Sequence, residues 1–170
     1  LYCFSALGQS YGKCAILAFL QALNLYILPF IKAILPMLKI EHLGIAVAEL
    51  EKSIPLFENL LNSPCYKTEA VESEGVKTAF FKTGDSKIEL LEASRSDSPI
   101  AKFIAKKGEG IHHIAFEVAD IEAEMKRLAA LGFELLNAIP KKGADNKLVC
   151  FLHPRGTNGV LVELCQENTY

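Results

Sequence analysis

Four polar side chains stand in strand-like runs that are otherwise apolar: His42, Glu89, His113 and Glu163. The two histidines are 71 residues apart and the two glutamates 74 apart, so one His and one Glu recur in the same order. Glu89 lies between Ile88 and Leu90, and Glu163 between Val162 and Leu164. Side chains alternate across a strand, so each glutamate faces away from its apolar neighbours. Corresponding positions of a repeat face the same way, which brings the four together near a pseudo-two-fold axis. Buried carboxylates require a compensating cation. Two imidazoles with two carboxylates form a nitrogen–oxygen donor set for a divalent metal. No cysteine belongs to the set, which argues against structural zinc. Four ligands of an octahedron leave two positions for a bidentate substrate. A single strand His or Glu is ordinarily a surface residue; the matched register of two pairs is what singles these out. His112 competes with His113, but the repeat register favours His113 and turns His112 to the opposite side.

The elements that must position these residues come in two passes. The first opens with a strand to Val47, then a helix over about 49–62 with Leu50, Ile54, Phe57 and Leu61 at helical spacing. Pro55 is expected in its first turn, with Ser53 near the cap. Strands follow at about 65–72, 76–82 and 86–92, the last two joined by Gly84-Asp85. The second pass opens at Ile111–Val118. Asp120 caps a helix with Ile121, Met125, Leu128 and Leu131 on its apolar face, and Gly132 ends it. Strands are expected at about 133–138, 147–152 and 160–165, with Asn158-Gly159 as a hairpin turn. At an offset of 71, His42 falls on His113, Val47 on Val118, Glu51 on Glu122 and Phe80 on Phe151. Each half is βαβββ, and a short helix over 99–107, capped by Ser98, links them. The expected class is α+β: two modules, about 39–92 and 110–166, packed as one domain over 38–168.

The 170 residues carry 18 basic and 20 acidic groups, a net charge of -2 with only three arginines. That balance excludes a nucleic-acid binder, which would show a basic stripe. The five cysteines form no CxxC pair, which points to reduced thiols and a cytoplasmic location. Residues 1–36 form a hydrophobic extension. Cys14–Ile31 is an uncharged run of 18 residues, long enough for a membrane span, though Gln21, Asn24 and Pro29 interrupt it. The favoured reading is a start set too far upstream of Met37; a membrane anchor over 14–31 and an extra packed helix are the alternatives.

Residues 39–167 resemble the vicinal oxygen chelate superfamily, to which glyoxalase I belongs, and within it the methylmalonyl-CoA epimerases. The stretches that carry the likeness are His42-Leu-Gly-Ile-Ala-Val47, Lys87-Ile-Glu-Leu-Leu-Glu92, Asp97-Ser-Pro-Ile-Ala-Lys-Phe103, Gly110-Ile-His-His-Ile-Ala-Phe-Glu-Val118, Phe151-Leu-His-Pro154 and Gly159-Val-Leu-Val-Glu-Leu164. The resemblance implies a glyoxalase-like domain that interconverts (R)- and (S)-methylmalonyl-CoA, with proton abstraction at C2 and a metal-stabilised enolate. It places the metal ligands on His42, Glu89, His113 and Glu163 and suggests Co2+ or Mn2+. Glu163 is then a ligand that also acts as a base. Some relatives put the second base, a Glu, where Thr78 stands here; Glu89, Lys77 or a water at the metal are the substitutes, and that role stays open. Lys141, Lys142, Lys147 and Arg155 offer charge for CoA phosphates and His153 a place in the pocket, but a solvated basic loop and a structural strand-end His are the favoured readings; relatives suggest a homodimer. A glyoxalase I-type reaction on a related thioester or hemithioacetal, and a small-molecule-binding member of the same fold, are the rival functions.

Overall fold

The computed structural model describes residues 37–169; the extension over 1–36, including the apolar run 14–31, lies outside the described residues. Strand β1 (Lys39–Ala46) leads to helix α1 (Leu50–Leu61) and three strands, β2 (Lys67–Val71), β3 (Val76–Thr83) and β4 (Ser86–Ala93). Helix α2 (Pro99–Lys107) connects to β5 (Gly110–Glu117), α3 (Ile121–Ala130), β6 (Lys141–Lys142), β7 (Lys147–Leu152) and β8 (Val162–Glu167). The strands form one eight-stranded sheet in the order β2-β3-β4-β1-β5-β8-β7-β6. β1 and β5 pair antiparallel at its centre, and each runs parallel to the last strand of its own module, β4 and β8. The two βαβββ units therefore share a continuous curled sheet through their first strands. Among the described residues no helix is long and apolar enough to cross a membrane.

Alternation along the strands divides the sheet into two faces. Ala79, Phe81 and Leu90 pack under α1 with Leu50, Ile54 and Phe57. Cys150, Leu152, Val162 and Leu164 pack under α3 with Ile121, Met125 and Leu128. The residues between them, including Glu89 on β4 and Glu163 on β8, consequently face the other side. Burial of these apolar stripes is what holds α1 and α3 on one face and leaves the other to line a cleft, where α2 packs through Ile100 on Val76 and Leu91. The expected caps form: Asp120 Oδ1 accepts from Ala123 N at 3.0 Å and Ser98 Oγ from Ala101 N at 3.1 Å. Gly132 follows α3 at φ +88°, in the left-handed region.

Four expectations need correction. The strand at 133–138 reduces to one bridge, Leu135 to Leu152, and the two-residue β6. Backbone bonds flank that bridge, His153 N to Glu134 O and Leu136 N to Phe151 O, both at 2.8 Å, but the Asn137 side chain takes the Phe151 N–H at 3.3 Å and the ladder goes no further. Asn158 and Gly159 do adopt positive φ, 54° and 87°, but within a longer connection rather than a two-residue hairpin. A 3-10 turn over Pro154–Gly156 comes first, and the β7–β8 ladder closes at Leu152 and Val162. Pro55 lies inside α1, beyond its first turn, and Ser53 is not the cap. Instead the Glu92 carboxylate accepts the Leu50 N–H at 2.6 Å, supplying from β4 the acceptor that α1 lacks locally.

Candidate metal centre

The strand register explains how four residues so distant in the chain meet. Gly44 pairs with Glu89 on one side and His113 on the other. Ala115 pairs with Glu163 on one side and His42 on the other. The two rows are equivalent under the pseudo-two-fold, and each places its smallest residue between a His and a Glu. Phe80 beside Glu89 and Phe151 beside Glu163 extend the rows in the same way. The small residues matter: a Cβ on Gly44 would lie 2.2 Å from Cε1 of His113, so the imidazole occupies the space a side chain would need.

All four predicted residues come together, and all are buried. His42 Nε2 and His113 Nε2 are 2.9 Å apart. Glu89 Oε2 lies 3.2 Å from His42 Nε2 and 3.6 Å from His113 Nε2. Glu163 Oε2 lies 3.6 Å from His42 Nε2 and 3.1 Å from His113 Nε2. An ion about 2.1 Å from each donor requires neighbouring donors about 3 Å apart. These separations and this donor chemistry fit a divalent ion: both Nε2 atoms converge, and two buried carboxylates gain a cation. His42, His113 and Glu163 form a metal-competent group with donor atoms within 4.8 Å of one another, and Glu89 adds a fourth donor through its contacts with both rings.

Two further residues complete the centre: Glu41, which the sequence pattern did not single out, and His112, which alternation turned to the opposite side. Ladder pairing between β1 and β5 shifts by one at Ile40/His42 and back at Gly44/Ile45. Glu41 on β1 and His112 on β5 are therefore the extra residues of two β-bulges, again equivalent under the repeat. A bulge interrupts strict alternation. His112 is thus not turned away, as alternation implied, but lines the same cavity as His113. Its Nδ1 is 2.9 Å from His113 Nδ1. Glu41 Oε2 is 2.5 Å from His42 Nδ1. Each inward imidazole is thereby bonded at its outer nitrogen by the residue that precedes it.

The electrostatics follow from this packing. Burial opposes a charged His42, but hydrogen bonds with Glu163, Glu41 and Glu89 hold its pKa well above 6.5. Burial likewise opposes ionised Glu163, yet His113 and His42 keep its carboxyl well below the usual range. Glu41 falls to about 2: burial works against it, but its hydrogen bonds to His42 and Lys87 prevail. Lys87 Nζ bonds Glu41 at 2.5 Å and Asp145 at 2.7 Å, and Lys147 Nζ lies 3.3 Å from Glu41. His112 is pushed down to about 4 by burial and then by the neighbouring His113, so this ring is neutral. Cys165 lies close to Glu41 and His42, but burial and then Glu163 push its thiol up, which makes it a poor donor.

A cavity of about 350 Å³ opens over the centre, lined by apolar groups such as Val76, Leu91, Ile100 and Phe151. Thr78 lines it and is buried, its hydroxyl donating to the Glu69 carbonyl at 3.4 Å. Lys77 points to the opposite face and is exposed, which removes it from the candidates for an acid or base. His153 also stays out: its Nδ1 accepts from Arg155 N at 3.1 Å and caps the 3-10 turn. Of the basic residues considered for CoA, Lys141, Lys142 and Lys147 line the cavity. Arg155 pairs with Glu134 instead, at 3.2 Å.

Comparison with known proteins shows what the chain as a whole is similar to. The family profile described as Glyoxalase/Bleomycin resistance protein/Dioxygenase superfamily matches residues 41–151. The ethylmalonyl-CoA/methylmalonyl-CoA epimerase of Cereibacter sphaeroides is 41% identical over 130 residues, 75% of this chain and 97% of that protein. The mitochondrial methylmalonyl-CoA epimerase of Homo sapiens is 40% identical over 129 residues, 75% of this chain and 73% of that one. Among solved structures, a variant of Streptomyces coelicolor methylmalonyl-CoA epimerase in complex with 2-nitronate-propionyl-CoA superposes with a TM-score of 0.74 at 35% identity, covering 78% of this chain and 99% of that chain.

Proposed function

We propose a reaction for this chain, which belongs to the glyoxalase/bleomycin resistance protein/dioxygenase superfamily: the metal-dependent interconversion of (R)- and (S)-methylmalonyl-CoA. The observation that carries this reading is the convergence of His42, Glu89, His113 and Glu163 at the floor of a cavity, in a chain whose relatives include methylmalonyl-CoA epimerases. The substrate's C2 proton lies between a thioester and a carboxylate and is acidic for a C–H bond. A divalent ion held by the four residues, Co2+ or Mn2+ by resemblance, supplies a Lewis acid that stabilises the enolate.

The remaining chemistry belongs to the side chains. Glu163, ionised and facing the cavity, takes the C2 proton, and the C–H electron pair passes into the thioester carbonyl. Return of a proton to the opposite face of C2 gives the other epimer. With Thr78 unable to act as a base and Lys77 turned away, the proton on that face comes from Glu89 in its protonated form or from a water. The apolar walls exclude water and hold the planar enolate for reprotonation. Lys142, exposed at the rim, meets the CoA phosphates. The free thiols of Cys65, Cys150 and Cys165 suit a reducing, cytoplasmic compartment.

The test starts from a single epimer of methylmalonyl-CoA. Metal-loaded protein converts it to the equilibrium mixture, followed by chiral separation; chelator stops the conversion and added Co2+ or Mn2+ restores it. A metal-loaded protein that leaves the epimer intact but turns over a glutathione hemithioacetal would transfer the site to glyoxalase chemistry.

A further inference from the structure

The two β-bulges put unlike residues in equivalent places. At the first, a carboxylate, Glu41, meets His42 Nδ1; at the second, an imidazole, His112, meets His113 Nδ1. A neutral imidazole has one N–H and one lone pair. If His113 is to offer Nε2 toward His42, Glu89 and Glu163, its proton must sit on Nδ1. The partner nitrogen, 2.9 Å away, must then accept it. Among the described residues, His112 Nδ1 is the acceptor recorded for that proton. Phe103 and His113 pack edge-on against the His112 ring, with centroids at 5.0 and 5.2 Å, so its orientation is fixed.

We propose that His112 is the positioning residue of His113: by accepting the Nδ1 proton it sets the ring's tautomer and direction, as Glu41 does for His42. This rests on the metal reading above but not on the identity of the substrate. The choice of imidazole follows from charge. Glu41 is compensated by Lys87 and Lys147. The structure records no lysine or arginine ion-paired to Glu89 or Glu163 among the described residues. A carboxylate at position 112 would add another buried charge to that side of the centre, whereas an imidazole accepts the same proton without one.

The proposal is tested by metal affinity and by NMR, neither of which needs methylmalonyl-CoA. In ring-15N-labelled wild-type protein loaded with diamagnetic Zn2+, a nitrogen–nitrogen coupling across the hydrogen bond should join His113 Nδ1 to His112 Nδ1. In calorimetric titrations with Co2+, His112→Phe should weaken binding by about 10–100-fold. His112→Gln, whose amide oxygen can accept the proton, should recover most of that loss. Wild-type affinity in folded His112→Phe, or a His113 Nδ1 proton with no coupling to His112, would overturn the assignment. Should the Phe variant fail to fold, the coupling in the wild-type protein decides alone. Loss of epimerisation with the coupling intact would count against the substrate and leave this role standing.

Discussion

Replacing Gly44 by Ala tests whether close approach of the strands, and not only the identity of the four polar residues, builds the centre. An added Cβ would lie 2.2 Å from Cε1, 2.5 Å from Nδ1 and 2.6 Å from Nε2 of His113. Ordinary van der Waals contact begins near 3.4 Å, so the imidazole must retreat by about 1.2 Å. The backbone cannot absorb this, because Gly44 is tied to Glu89 on one side and His113 on the other, and moving it displaces both. Metal–donor distances tolerate only about 0.2 Å. His113 is therefore lost as a ligand, and affinity for Co2+ or Mn2+ should fall by at least about 100-fold. Overpacking should also cost about 1–3 kcal/mol of stability, which denaturant melts would report. The assay is calorimetric metal titration on protein shown by circular dichroism to be folded. Ala115→Gly is the matched control: it removes a methyl from the equivalent position beside His42 and creates no clash, so binding should change little. A folded Gly44→Ala protein that binds metal within twofold of wild type would show that close approach at Gly44 does not build the centre.

Glu163→Gln keeps a carbonyl oxygen for the ion but removes the base, so turnover should drop by about 10²–10⁴-fold while calorimetry shows a much smaller loss of metal affinity; equal losses in both would remove Glu163 from proton transfer. Glu41 has a folded pKa of about 2 against an ordinary 4.5, so the folded state binds its proton less readily than the unfolded state. Its contribution to stability is present above about pH 4.5 and is lost as the pH falls toward 2. The urea midpoint of the metal-free protein should therefore decline less between pH 5 and pH 3 in Glu41→Gln than in wild type, and parallel declines would contradict this. Ser98→Ala removes the cap of α2 and should cost about 1 kcal/mol in urea unfolding with no change in metal affinity; unchanged stability would show that the cap contributes nothing.

Much of the centre was legible because its signal is periodic. A glutamate between two apolar strand residues must face the other way, and the repeat doubled that signal at Glu89 and Glu163. The helix caps at Ser98 and Asp120 were equally readable, since each is a local bond to a nearby backbone N–H. Glu41 and His112 were not readable. A bulge is an event of strand pairing, decided by register between β1 and β5, and neither position carries a glycine or proline to mark it. Strict alternation consequently sent His112 to the wrong face. The stretch 133–138 failed for a related reason: Phe133 and Leu135 do pack on the core and two backbone bonds form, but the Asn137 side chain takes the Phe151 N–H and stops the ladder. Asn158-Gly159 supplied the turn geometry expected of the pair, while Pro154 and its 3-10 turn set the length of the connection.

The proposed reaction requires the four gathered side chains to labilise the proton at C2 of methylmalonyl-CoA. The most direct measurement is proton exchange: metal-loaded protein with one epimer in heavy water, with deuterium at C2 followed by NMR alongside the stereochemistry. Deuterium should enter C2 together with the opposite epimer, and both should stop when chelator removes the metal. No deuterium at C2 with cobalt, manganese, nickel, zinc or magnesium would contradict it.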